Sequence, residues 1–205
     1  RLMKTLSEID TTSKRATKAA GFSWGIAEEV GKNMRLLELF GLPGIKNLNK
    51  YLKDYKKSQF EKITLINEMN ECKKNCFCPI TLGTNFIDQV NLIDKKKNIK
   101  IYNVGFPMLF LPFVSRASEV VGKRIFLKID EKEFLLNLNQ SIYSNYLKNE
   151  ILEICSSISI DFIENNNSFT EVEWKEIYKL SEDTFVEESE SLKIGAAGAG
   201  LTDND

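Results

Sequence analysis

The sequence predicts an α+β fold, with an N-terminal helical hairpin, a central mostly antiparallel sheet, a C-terminal helix and a Gly/Ala-rich tail. Three observations predict it. Apolar residues recur at helical spacing through the first 57 residues, whereas the stretch 124–139 alternates with the period of a strand. A capping box at Thr170 then opens a last helix. Helices first, strands in the middle and a helix last, without regular βαβ alternation, separates this pattern from a parallel α/β sheet.

In chain order, Leu6, Ile9, Ser13, Ala16 and Ala20 share one helical face, and Gly21 stands where a left-handed cap ends a helix. Ser23 is a suitable N-cap for a second helix, Trp24 to Phe40, with Trp24, Ala27, Val30, Met34 and Leu37 as its apolar stripe. Gly41 and Pro43 end it. Gly21, Gly25 and Gly31 are expected to allow close helix packing against Trp24. Leu48, Tyr51, Leu52 and Tyr55 predict a third helix over 46–57 with a lysine-rich outer face.

Residues 58–77 are poorly periodic. CKKNCFCPITLG has the character of a loop entering a strand or short turn, and 91–100 reads as a polar turn.

The stretch IYNVGFPMLFLPFV, Ile101 to Val114, is the most apolar in the chain, with Lys95–Lys97 before it and Arg116 after it. It falls short of the roughly 20 residues that a membrane-spanning helix needs. Pro107 and Pro112 argue against one long helix. Buried strand, broken at the prolines, is the expectation. Residues 115–122 suit a short helix ending at Gly122. Residues 124–130 and 134–139 suit a hairpin turning at Asp130-Glu131-Lys132, and the β-branched run 151–163 suits a strand. Thr170 and Glu173 form a capping box for the last helix, continued by Val172, Ile177, Leu180 and Phe185 to about Val186. The expected organisation is one domain over 1–205, helical over 1–57, mainly strand over 58–163, helical again over 168–187, with a tail over 188–205.

The net charge of −1 hides an asymmetry. Residues 1–100 carry 19 Lys/Arg against 11 Asp/Glu, and residues 101–205 carry 9 against 18. A basic front half can serve nucleic acid, and the lysine face 46–57 defines that alternative. Against it, only two arginines follow residue 35, and arginine is the preferred reader of bases and phosphates. Attraction between the two halves, or pairing in a dimer, explains the asymmetry as well.

Histidine is absent. That removes Ser-His and Cys-His nucleophile pairs, imidazole zinc sites and the usual base near neutral pH. Catalysis would have to run on carboxylates, Lys, Cys, Tyr or backbone donors, or on groups from another chain. With no long apolar run and no basic-then-apolar leader, the expectation is a soluble cytoplasmic protein, with Met3-Lys4-Thr5 reading as a natural start.

Candidate sites follow from this. Cys72, Cys76 and Cys78 form C-x3-C-x-C with Cys155 far downstream, a spacing unlike paired C-x2-C zinc ligands, so no metal is assigned and the cofactor stays unknown. Cys78, beside Pro79 and near Lys73 and Lys74, is a candidate nucleophile. Glu28 and Glu29 are candidate acid–base carboxylates, although acidic residues in early helical turns usually answer the helix dipole. In the tail GAAGAGLTDND, Gly195, Gly198, Gly200, Thr202, Asp203 and Asp205 are candidates for contacting a ligand or partner. The tail lacks the P-loop and dinucleotide fingerprints.

The helical pair containing SWGIAEEVGK, the segment FCPITLG, the run GFPMLFLPFV and the ending GAGLTDND together resemble an uncharacterised bacterial family, a domain of unknown function. The resemblance runs from Leu6 to Asp205, is weakest over 46–75, and transfers no catalytic residue. With no histidine, no complete catalytic constellation and a terminal segment suited to insertion, the leading expectation is a small subunit or accessory component of a metabolic enzyme, docking its tail into a protein partner. The alternatives are a stand-alone enzyme using carboxylates or Cys78, and a nucleic-acid-associated module.

Overall fold

In a computed structural model of the chain, residues 3–55 and 60–202 are described, apart from the side chains of 186–189 and 196–202. The chain is α+β, with six α-helices and a mixed sheet of 8 strands among the described residues. It divides into two compact units, residues 1–164 and 165–205, each described by itself below.

The first unit begins with α1 (Leu6–Ala19), opened by a capping box in which Thr5 Oγ1 accepts from Glu8 N–H and the Glu8 carboxylate accepts from Thr5 N–H. Gly21, at φ +110°, turns the chain, and Ser23 caps α2 (Trp24–Leu39). Ala27, Val30, Met34 and Leu37 are buried as their spacing predicts. Of the three glycines expected to allow close packing, Gly31 does so, but against α1 rather than Trp24: a Cβ there would sit 2.7 Å from the Asp10 carbonyl oxygen, whereas one on Gly21 or Gly25 would touch nothing. Trp24 is exposed, with the Lys18 ammonium over its ring at 5.5 Å. The third helix is α3 (Gly44–Asp54); residues 56 and 57 of the expected span lie outside the described residues.

Three short strands follow, β1 (Phe60–Glu61), β2 (Met69–Glu71) and β3 (Cys76–Phe77), and then α4 (Pro79–Ile93). The expected loop thus runs into a helix of 15 residues. Pro79 occupies its first turn, where a missing N–H costs nothing, and Pro79, Leu82, Gly83, Phe86, Val90 and Ile93 bury one face.

The central apolar stretch is only half strand. β4 (Ile99–Gly105) ends at Phe106, which turns the chain at φ +44° into a 3-10 turn at Pro107–Leu109, and α5 (Leu111–Val121) follows. The strand expectation over 107–114 is corrected for one reason. Both prolines sit in the first turn of a helical element, the one place in a helix that tolerates them. Gly122, at φ +66°, ends α5 as expected.

The remaining strands are β5 (Arg124–Ile129), β6 (Lys132–Asn137), β7 (Ser141–Ser144) and β8 (Ile154–Ile163). β8 lies antiparallel between β4 and β5. β6 and β7 extend the antiparallel side, while β2 and β3 pair parallel with the other edge of β4. Register aligns one apolar face: Ile101, Ile158 and Ile129 form one row, and Ile99, Ile160, Leu127 and Phe134 the next. These residues join Phe86 and Val90 of α4 and Phe110, Phe113 and Val114 of α5 in one core. The Asp130 turn is fastened by its own side chain, whose Oδ1 accepts from the Ser156 and Ser157 N–H groups.

The second unit holds α6 (Glu171–Thr202). The Thr170–Glu173 capping box forms as the sequence predicts. The helix continues past Val186 through the segment expected to be a tail, so Gly195 and Gly198 are helical.

Candidate functional site

The sequence candidates fall in three places. Cys78 is the N-cap of α4 and is 1 % exposed. Its sulfur lies 3.0 Å from the Tyr51 hydroxyl, within an aromatic cluster of Phe22, Tyr51, Tyr55, Phe60 and Phe106. Burial pushes the Tyr51 phenol well above its ordinary pKa, with the neighbouring thiol adding to it, so this hydroxyl is neutral and no base. Burial also pushes the Cys76 thiol up to about 11 and the Cys155 thiol up to about 12. Cys72 donates to the Glu61 carboxylate at 2.8 Å, which lowers the Glu61 pKa. Among the described residues no three Cys, Asp or Glu side chains converge as metal ligands. Among the described residues, the Cys78 sulfur meets a neutral hydroxyl rather than an activating base.

Glu28 is exposed on α2. Glu29, one position on, turns inward and forms an ion pair with the Arg116 guanidinium of α5, with Lys32 at 3.8 Å on its other oxygen. Glu29 and Arg116 line a cleft of about 480 Å³ between α2, α4 and α5, together with Ile26, Ile87, Asp88 and Phe113. Gly83 lets α4 pack closely on α5. A Cβ there would stand 2.1 Å from Phe113 Cδ2, so only glycine lets α4 approach the Phe113 ring. The Arg116 guanidinium stacks over that ring at 5.2 Å, and burial lowers its pKa. Cys78 does not line this cleft. The sequence marks Arg116 only as a flank of the apolar run and gives no sign of Asp88, because α4 has the residue pattern of loop and turn.

The tail candidates lie on α6 or beyond it. Gly195 is exposed and a Cβ there would meet nothing, while Gly198, Gly200 and Thr202 are helical in backbone. Asp203 and Asp205 lie outside the described residues. Upstream on the same helix, Trp174, Ile177, Tyr178 and Leu192 are all exposed, and Phe169 stacks on Trp174 at 5.5 Å. In the lysine face of α3, Lys46 donates to the Asn149 carbonyl and Lys50 pairs with Asp54. Among the described residues no helix is long and apolar enough to cross a membrane.

A family model described as "Protein of unknown function (DUF3726)" matches residues 4–76. The match takes in SWGIAEEVGK and ends before the other three motifs of the resemblance, which begin at Phe77. It agrees with the expectation of an uncharacterised family over that span. No curated protein matches the chain, and no solved structure does.

Proposed function

We propose that this protein works by association with another polypeptide, as an accessory component that engages its partner through α6. One observation carries the reading: large apolar side chains at 174, 177, 178, 185 and 192 fall within one stripe of a 32-residue helix, and all five are exposed. Tyr178, Phe185 and Leu192 repeat every seven residues, the spacing that seats one helix against another. Exposed apolar stripes of this kind mark interaction surfaces. The helix carries eight acidic and three basic residues by sequence, so the matching surface is apolar with a basic rim. The Gly/Ala end continues the helix backbone to Thr202.

The test is recovery of the N-terminally tagged chain from cells that make it. The expected result is a second polypeptide, or a second copy, in fixed stoichiometry, lost from the Ile177→Glu/Tyr178→Glu double variant.

A further inference from the structure

The cleft between α2, α4 and α5 carries a second reading, independent of α6. We propose that it binds a small zwitterion, a molecule bearing a carboxylate and a protonated amine on a short apolar body, such as an α-amino acid.

The carboxylate is recognised by Arg116. A guanidinium has five N–H donors in a planar fork. Here only Nη1 is engaged, by Glu29, while Nε and Nη2 have no partner among the described residues. Those two atoms form one edge of the fork, whose parallel N–H groups match the two oxygens of a carboxylate. Both nitrogens are shielded from solvent, so their hydrogens have lost water without gaining an acceptor. A carboxylate entering beside Phe113, with a small shift of the cleft wall, supplies it.

The amine is recognised by the opposite charge. Asp88 lines the same cleft from α4, is exposed, and has no ion-pair partner among the described residues. Glu29 contributes a second carboxylate, already shared with Arg116 and Lys32. With Glu29 already answered by Arg116 and Lys32, Asp88 is the carboxylate left for an amine, and the unfilled guanidinium edge disfavours a plain cation. A molecule carrying both charges satisfies each. Ile26, Ile87 and Phe113 provide apolar surface in the same cleft for the body of the molecule. The volume, about 480 Å³, lies within the range of roughly 300–1,000 Å³ usual for small-molecule pockets.

The test is isothermal titration calorimetry of the full chain against the common L-amino acids. For the tightest, the matched acid lacking the amine and the matched amine lacking the acid follow. The expected result is a zwitterion with Kd below about 1 mM, and matched acid and amine each at least about tenfold weaker. Asp88→Asn, on the surface, should keep the wild-type melting temperature and lose about tenfold in affinity; Arg116→Gln should lose binding. Two results would overturn the proposal: no binding at about 10 mM of any amino acid, or an affinity that the single-charge analogues or Asp88→Asn leave unchanged.

Discussion

Gly83 and Phe113 pack so closely that a Cβ at position 83 would stand 2.1 Å from the ring, and this approach sets the spacing of α4 and α5. Gly83→Ala is therefore an overpacking change against an aromatic ring that is 1 % exposed. It should cost about 1–3 kcal/mol in urea unfolding. Gly25→Ala is the matched control on α2, where a Cβ meets nothing; it should be neutral or stabilise by up to about 1 kcal/mol.

Asn47 joins α3 to the segment before β8. Its amide donates to the Pro43 and Glu150 carbonyls, and its oxygen accepts from Leu152 N–H at 3.0 Å. Asn47→Ala removes three hydrogen bonds made by a fully buried side chain. The expected loss is about 3 kcal/mol. Asn49→Ala, two residues on and uninvolved in these bonds, should change stability by less than about 0.5 kcal/mol.

The buried thiols predict a pH dependence with a definite sign. Cys155 rises from 9.0 to about 12 in the folded protein because burial disfavours the thiolate. Above about pH 9 the unfolded chain loses this proton first, so it binds fewer protons than the native state. Stability is then fully present below pH 9 and falls as pH rises toward 12, by about 1.4 kcal/mol per pH unit for this thiol. Cys76 adds a fall in the same direction from pH 9 to about 11. Native protein at pH 8 should accordingly react with a thiol reagent slowly, and first at Cys72, the one cysteine that is not fully buried. All four should react at once in denaturant.

Much of this fold is legible in the residues. Thr170 with Glu173 announces its helix because a capping box is local chemistry. The hairpin turning at Asp130 is legible because alternation at 124–139 has the strand period. The run 107–114 is not. A proline reads the same whether it breaks a strand or opens a helix, and only the Phe106 turn decides between them. Helix α4 is hidden because Pro79 and Gly83 look like loop residues until Phe113 is seen to require the glycine. The cleft is therefore half legible: Glu29 stands out as a carboxylate on a helix, while Arg116 and Asp88 need the packing of α4 on α5 to bring them together.

Association through α6 is tested most directly by mass. The sample is the tagged protein recovered from cells, for wild type and for Ile177→Glu/Tyr178→Glu, measured by light scattering on a sizing column. An engaged α6 gives a wild-type mass above the 23.5 kDa of one chain, either a fixed complex with a partner or a dimer. The double variant should return to one chain with its helix content intact by circular dichroism. A wild-type chain that emerges alone at 23.5 kDa, or a complex that survives the double substitution, would contradict a docking role for this helix.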